Sequence, residues 1–118
     1  MRYFLVKICS IILITQAVSF VVNAQQVQEK SLSKQRQQQL IHILKQDCGS
    51  CHGMTLKGGL GSPLLPKNLK LQSTKMIANT ILNGRPGTAM PPWKPLLSKQ
   101  EIYWLAKQLK QGLKHEQK

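Results

Sequence analysis

The sequence predicts an all-α domain of about three to four helices organised around one site. Three observations carry this. Apolar residues recur at three- and four-residue spacing in three segments, around Leu40, Ile81 and Leu105. No run alternates apolar and polar residues, so nothing argues for a sheet. Finally, Cys48-Gly49-Ser50-Cys51-His52 lies directly after the first of those segments.

Residues 1–24 have the layout of a secretory signal peptide. Arg2 and Lys7 form a basic start, Ile8 to Val22 is largely apolar, and Val22-Asn23-Ala24 offers a cleavage site after Ala24. The apolar core is interrupted by Gln16 and is shorter than the roughly 20 residues a membrane span needs. Cleavage and export are therefore expected, with no stable membrane anchor afterwards. Residues 25–118 then form one domain. Removing Arg2 and Lys7 from the 17 basic residues leaves 15 against 4 acidic ones, a charge of +11. Such a chain favours an acidic partner, an anionic membrane surface or nucleic acid. Export argues against nucleic acid, and no basic helix is interleaved with stacking aromatics.

Within that domain, a first helix is expected to start near Ser31 or Ser33, both good caps. It runs through Gln35 to Gln46, with Leu40, Ile41 and Leu44 on one face. Glycines at 53, 58, 59 and 61 then make a loop, and Pro63 and Pro66 keep the following stretch extended. Leu69 and Leu71 are expected core contacts. A second helix spans about Ser73 to Asn83, stopped by Gly84. Residues 85–93 hold three prolines and one methionine and read as a stiff loop. The last helix opens on the capping box Ser98-x-x-Glu101, carries Ile102, Leu105, Ala106 and Leu109, and stops near Gly112.

The five residues from Cys48 to His52 read as the attachment signature of a c-type haem. Each thiol forms a thioether to the porphyrin, and the imidazole of His52 binds iron on the proximal side. A thiol-redox motif would need a β-α-β pattern, which is missing, and zinc would need about two further ligands at better spacing than His42 and His115. Both cysteines of the exported domain lie in the motif, so one covalent haem is expected.

Met90 is the candidate for the distal position on iron. It sits between Ala89 and Pro91 on the stiff loop, and Pro91 fixes φ and restrains the backbone beside it. Met54 follows His52 too closely to reach the opposite face and is expected to pack. Met76 starts the second helix, where core or surface is the simple reading, and His42 is expected on the surface. A metal-bound histidine usually donates its other N–H to a carbonyl. The loop 61–66 offers several, and Pro63 is the one expected, unless the prolines only shape the loop. Trp93 fits the haem edge, an indole hydrogen bond to a propionate, or core packing alone. Arg85 fits a propionate partner or simple exposure. Lysines 57, 67, 70, 75 and 94 fit either a docking ring for an acidic partner or a solvated surface.

The order helix, C-x-x-C-H, loop, methionine, helix resembles class I cytochrome c over residues 31 to 113. The segments Cys48-Gly-Ser-Cys-His-Gly-Met-Thr-Leu-Lys-Gly-Gly-Leu-Gly61 and Gly84-Arg-Pro-Gly-Thr-Ala-Met-Pro-Pro-Trp93 are similar to the cytochrome c55X (NirC-type) proteins found beside cytochrome cd1 nitrite reductase. Similar segments occur in the haem c domains of that reductase, which also carry a large propeller, so the free-standing carrier type is expected here. The resemblance implies a periplasmic monohaem electron carrier with His52 and Met90 as axial ligands and no substrate turnover of its own. It implies cytochrome cd1 nitrite reductase as the partner or, alternatively, an accessory role in haem d1 maturation or insertion. Ser62 departs from the pattern: it is inserted where glycine followed directly by proline is expected.

Overall fold

The computed structural model describes residues 31–113; the expected signal segment and the start of the mature chain lie outside the described residues, as does the tail from 114. A helical run begins at Lys34 and continues to His52. Its first part is α1 (Lys34–Ile43). Ser33 Oγ accepts the Arg36 N–H at 3.2 Å, satisfying one of the donors that a helix start leaves unpaired.

Between Leu44 and Cys48 the run widens into a π turn, and the Gly49 N–H reaches back to the Leu44 carbonyl. α2 (Gly49–His52) follows without a break and carries the second cysteine and the histidine. Such wide turns are rare and sit mostly at functional sites. The extra residue turns Cys48 away from the stripe that begins at Leu40 and Leu44. Those two leucines are fully buried, whereas Cys48 is half-buried and borders the cavity described below.

The glycine-rich loop is folded back tightly. Gly58 N–H donates to the His52 carbonyl at 2.8 Å, and Gly61 N–H to the Cys51 carbonyl at 2.8 Å. Leu56 takes a left-handed φ of +58°, a strained choice for a side chain of this size, yet it is buried and its carbonyl accepts the Leu64 N–H at 2.9 Å. Burial of its apolar surface offsets that strain.

α3 (Pro66–Leu69) is a single turn with proline at its start, where the missing N–H costs nothing. α4 (Thr74–Asn83) has Ser73 as its N-cap and Gly84 after its end. α5 (Lys99–Gln111) has the full capping box: Ser98 Oγ accepts the Glu101 N–H, and the Glu101 carboxylate accepts the Ser98 N–H at 2.8 Å. Gly112 follows it.

α4 packs along α5, while α1 and α3 also rest on α5. The core is one cluster: Leu40 and Leu44 from the first run, Leu69 from α3, Ile77 from α4, and Ile102, Leu105, Ala106 and Leu109 from α5. Leu56 and Leu97 join it from loops. Each large buried side chain contributes roughly 1.5–3 kcal/mol relative to exposure. Among the described residues there is no strand, and no helix is long and apolar enough to cross a membrane. The architecture is the all-α one expected.

Two core expectations need correction. Leu71 is 89% exposed rather than buried, because it lies in the turn that follows α3, while Leu69 ends α3 on its buried side. Met54, expected to pack, is 57% exposed, and its sulfur lies beside Gly49 rather than in the core.

Candidate functional site

One cavity of about 340 Å³ opens between the end of the first helical run, the glycine loop, α4 and the proline-rich loop. Its volume falls within the range of roughly 300–1,000 Å³ typical of cofactor sites. The walls are mostly apolar: Leu44, Leu64, Leu69, Ile77, Ile81, Leu97, Leu105 and Leu109. Asp47, Gln72 and Thr80 add polar atoms, and the groups with useful chemistry are also on it. Cys48, Cys51, His52, Arg85, Met90 and Trp93 all line it.

The thiols differ. Burial, and secondly the negative charge of Asp47, push the Cys48 thiol up from 9.0 to about 11, so it stays protonated near neutral pH. Cys51 is exposed one turn further on. Both are free and face the same cavity.

His52 ends α2, and its ring is held from two sides. Nδ1 lies 2.7 Å from the Ser62 carbonyl oxygen. A carbonyl only accepts, so Nδ1 must be the protonated nitrogen and Nε2 keeps its lone pair free to bind a metal. Gly61 lies against the ring itself: a Cβ there would sit 2.6–2.7 Å from Cε1 and Nδ1. Only glycine can pass the imidazole so closely. Here the expectation of Pro63 is corrected. Ser62, not Pro63, presents the carbonyl, and Ser62 rather than Pro63 lines the cavity. The carbonyl facing the ring is thus the one directly before the proline.

Met90 lies on the other loop. A turn closes at Arg85–Thr88, where the Thr88 N–H donates to the Arg85 carbonyl at 3.1 Å and Gly87 takes φ +77° after Pro86. The Arg85 N–H then donates to the Met90 carbonyl at 3.1 Å. Gly84 makes this return possible: with φ +66°, a Cβ on it would lie 2.6 Å from the Met90 carbonyl oxygen. Trp93 closes the loop, its N–H donating to the Ile81 carbonyl at 3.1 Å.

The residues present suit a haem. Two thiols, one imidazole with a directed lone pair and one thioether sulfur border a largely apolar cavity. Soft sulfur and imidazole donors are those that iron porphyrins take. Arg85 is exposed at the rim and makes no ion pair among the described residues. Sequence reasoning missed Ser62, Gly61 and Thr88. Only the departure of Ser62 from the expected pattern signalled anything, since the roles of the other two come from where the backbone passes.

The comparisons with known proteins agree with this geometry. The family described as cytochrome C oxidase, cbb3-type, subunit III matches residues 35–107. Cytochrome c55X of Pseudomonas aeruginosa is 51% identical over 65% of this chain, and the match spans 65% of the relative's own length, just under two thirds. Cytochrome c55X of Paracoccus denitrificans is 46% identical over 60% of this chain and 69% of that protein. The solved structure of a c-type cytochrome NirC is 48% identical, with a TM-score of 0.68 over 70% of this chain and 96% of that one. With the fold, the cavity and these relatives in agreement, the chain belongs to the class I c-type cytochromes, within the family whose model spans residues 35–107, and is of the cytochrome c55X (NirC-type) kind.

Proposed function

We propose that the chain is a periplasmic carrier of single electrons that serves cytochrome cd1 nitrite reductase in denitrification. Cys48 and Cys51 would hold one haem c covalently, and His52 and Met90 would bind its iron. The observation that supports this most is that His52 and Met90 border a single cavity from two separate segments, with both thiols beside His52. The chemistry a bound haem supplies there is one-electron exchange between ferric and ferrous iron.

The chain's own residues do the rest. The Ser62 carbonyl fixes the tautomer and ring plane of His52. The aliphatic walls exclude water, and a thioether ligand in a dry site raises the potential. With His52 and Met90 both placed to bind the iron, no position would be left for substrate, which fits a carrier without turnover of its own. Arg85 at the rim is placed to pair with a propionate, and Trp93 packs at the cavity edge.

The surface suits an acidic partner. The residues from 31 to 113 hold twelve Lys and Arg against Asp47 and Glu101 alone. Glu101 is already paired with Arg36. Lys57, Lys67, Lys70, Lys75 and Lys94 are all exposed. Leu60, on the cavity rim, is 95% exposed and offers an apolar contact among them. Complementary charge of this kind acts mainly on the association rate.

The test is electron transfer from the reduced holoprotein to cytochrome cd1 nitrite reductase, followed by stopped flow across salt concentrations. Fast transfer that slows as salt rises is the expected result. Absence of transfer at low salt would remove this partner. Tight binding that ignores the oxidation state of the haem would favour the maturation role instead.

A further inference from the structure

The loop that carries Met90 binds both polar groups of that residue's backbone. The carbonyl accepts from the Arg85 N–H at 3.1 Å, a bond between two main-chain groups that needs the glycine at 84 but no polar side chain. The Met90 N–H is different. It donates to Thr88 Oγ1 at 3.3 Å, while the same hydroxyl donates to the Arg85 carbonyl at 2.8 Å. One side-chain hydroxyl thus accepts from one end of the loop and donates to the other. The Arg85 carbonyl takes both the N–H and the hydroxyl of Thr88.

We infer that Thr88 is the positioning residue for Met90, holding the thioether's backbone in the place from which the sulfur reaches into the cavity. This rests on the reading of Met90 as the distal ligand. The physical argument concerns which conformations the loop loses. Pro86 and Pro91 already fix φ on either side of the segment. Gly87 and Ala89 are small and exposed, so neither anchors the chain by packing. Between the prolines, rotation at 87–90 is the remaining freedom, and the Thr88 hydroxyl opposes it by bonding both the Arg85 carbonyl and the Met90 N–H. Thr88 itself needs no contact with iron to act. It sets how often the Met90 sulfur is in reach, and hence how well Met90 competes with an outside ligand. Valine keeps the shape of threonine and loses both hydrogen bonds, whereas serine keeps the hydroxyl.

The experiment is titration of the ferric holoprotein with imidazole at fixed pH, read by loss of the methionine–iron charge-transfer band. Wild type, Thr88→Val, Thr88→Ser and Met90→Ala are compared, with urea unfolding as the measure of global stability. Loss of one net hydrogen bond that favours the ligated loop should make imidazole bind about fivefold more tightly to Thr88→Val. Thr88→Ser should bind it as wild type does. Equal imidazole affinity in wild type and Thr88→Val, with or without a fall in urea stability, overturns the inference and leaves Thr88 a merely structural residue. If wild type already lacks the band and Met90→Ala binds imidazole no more tightly than wild type, it is the ligand assignment that fails.

Discussion

Arg36 Nε lies 2.5 Å from Glu101 Oε1, tying the start of α1 to the start of α5 across 65 residues of sequence. The same carboxylate closes the capping box with Ser98. One side chain therefore begins a helix and joins the two helices that bracket the core. Glu101→Ala removes both roles and is expected to cost about 1–2 kcal/mol in urea unfolding of the holoprotein. Arg36→Met leaves the capping box and removes the pair, along with an exposed hydrogen bond to Gln39. Because the Arg36 side chain is 35% exposed, its loss should stay below about 1 kcal/mol. Equal losses in the two variants would show that the capping box contributes nothing.

The same pair sets an acid limit. The Arg36 hydrogen bond, joined by donors from Ser98, holds the Glu101 carboxyl below its usual 4.5. A depressed folded value means the stabilisation is present above about 4.5 and is lost as pH falls through the lower folded value. Thermal unfolding of wild type and Glu101→Gln between pH 6 and pH 3 (roughly the carboxylate window) should converge at the acid end. Parallel curves would refute the link.

Cys48 gives a prediction on the alkaline side, for the protein before haem attachment. Its raised value means that burial of the neutral thiol stabilises the fold fully below 9.0 and that this is lost as pH rises toward about 11. The amount is on the order of 2 kcal/mol. The thioether form has no thiol to titrate, so its stability should be flat over that window. At neutral pH, iodoacetamide should label the exposed Cys51 well before Cys48 in the apoprotein. Equal labelling rates would mean that Cys48 is not buried without haem.

Gly61 and Ser62 can be separated. Gly61→Ala forces a Cβ to within 2.7 Å of the His52 ring and should destabilise the holoprotein by about 1–3 kcal/mol, with a changed pattern of paramagnetically shifted proton signals from His52. Ser62→Ala leaves the backbone carbonyl in place and should change neither. A shifted His52 pattern in Ser62→Ala would mean the hydroxyl, not the carbonyl, orients the ring.

Met90→Ala should fold, keep its covalent haem and have a lower potential than wild type, because a thioether ligand raises it. Equilibrium redox titration reads the difference. An unchanged potential would place the distal ligand elsewhere.

Much of this fold was legible from its helix ends. Ser33, Ser73 with Gly84, and Ser98 with Glu101 and Gly112 mark starts and stops by local hydrogen-bond chemistry, which needs no tertiary context. α3 was not legible, because one turn is too short to show a period, and Leu71 was misassigned for the same reason. Leu56 is buried through a left-handed backbone that its residue type does not advertise. The cysteines, His52 and Met90 stand out by chemistry, so their candidacy could be read in advance. The carbonyl that meets His52 could not, since every residue has one and only the path of the folded loop decides which is in reach.

The close passage of Gly61 over His52 has a consequence for rate. On the functional reading proposed above, charge arrives at and leaves the ring's partner repeatedly, and any atom that must shift each time adds to the barrier. An imidazole wedged between a glycine backbone and the Ser62 carbonyl has nowhere to turn. The Ser62 carbonyl dipole is already oriented toward the ring, which is the kind of preorganisation that spares a rearrangement. On that reading, a low reorganisation energy is the expected consequence of a position where a single methyl group would not fit.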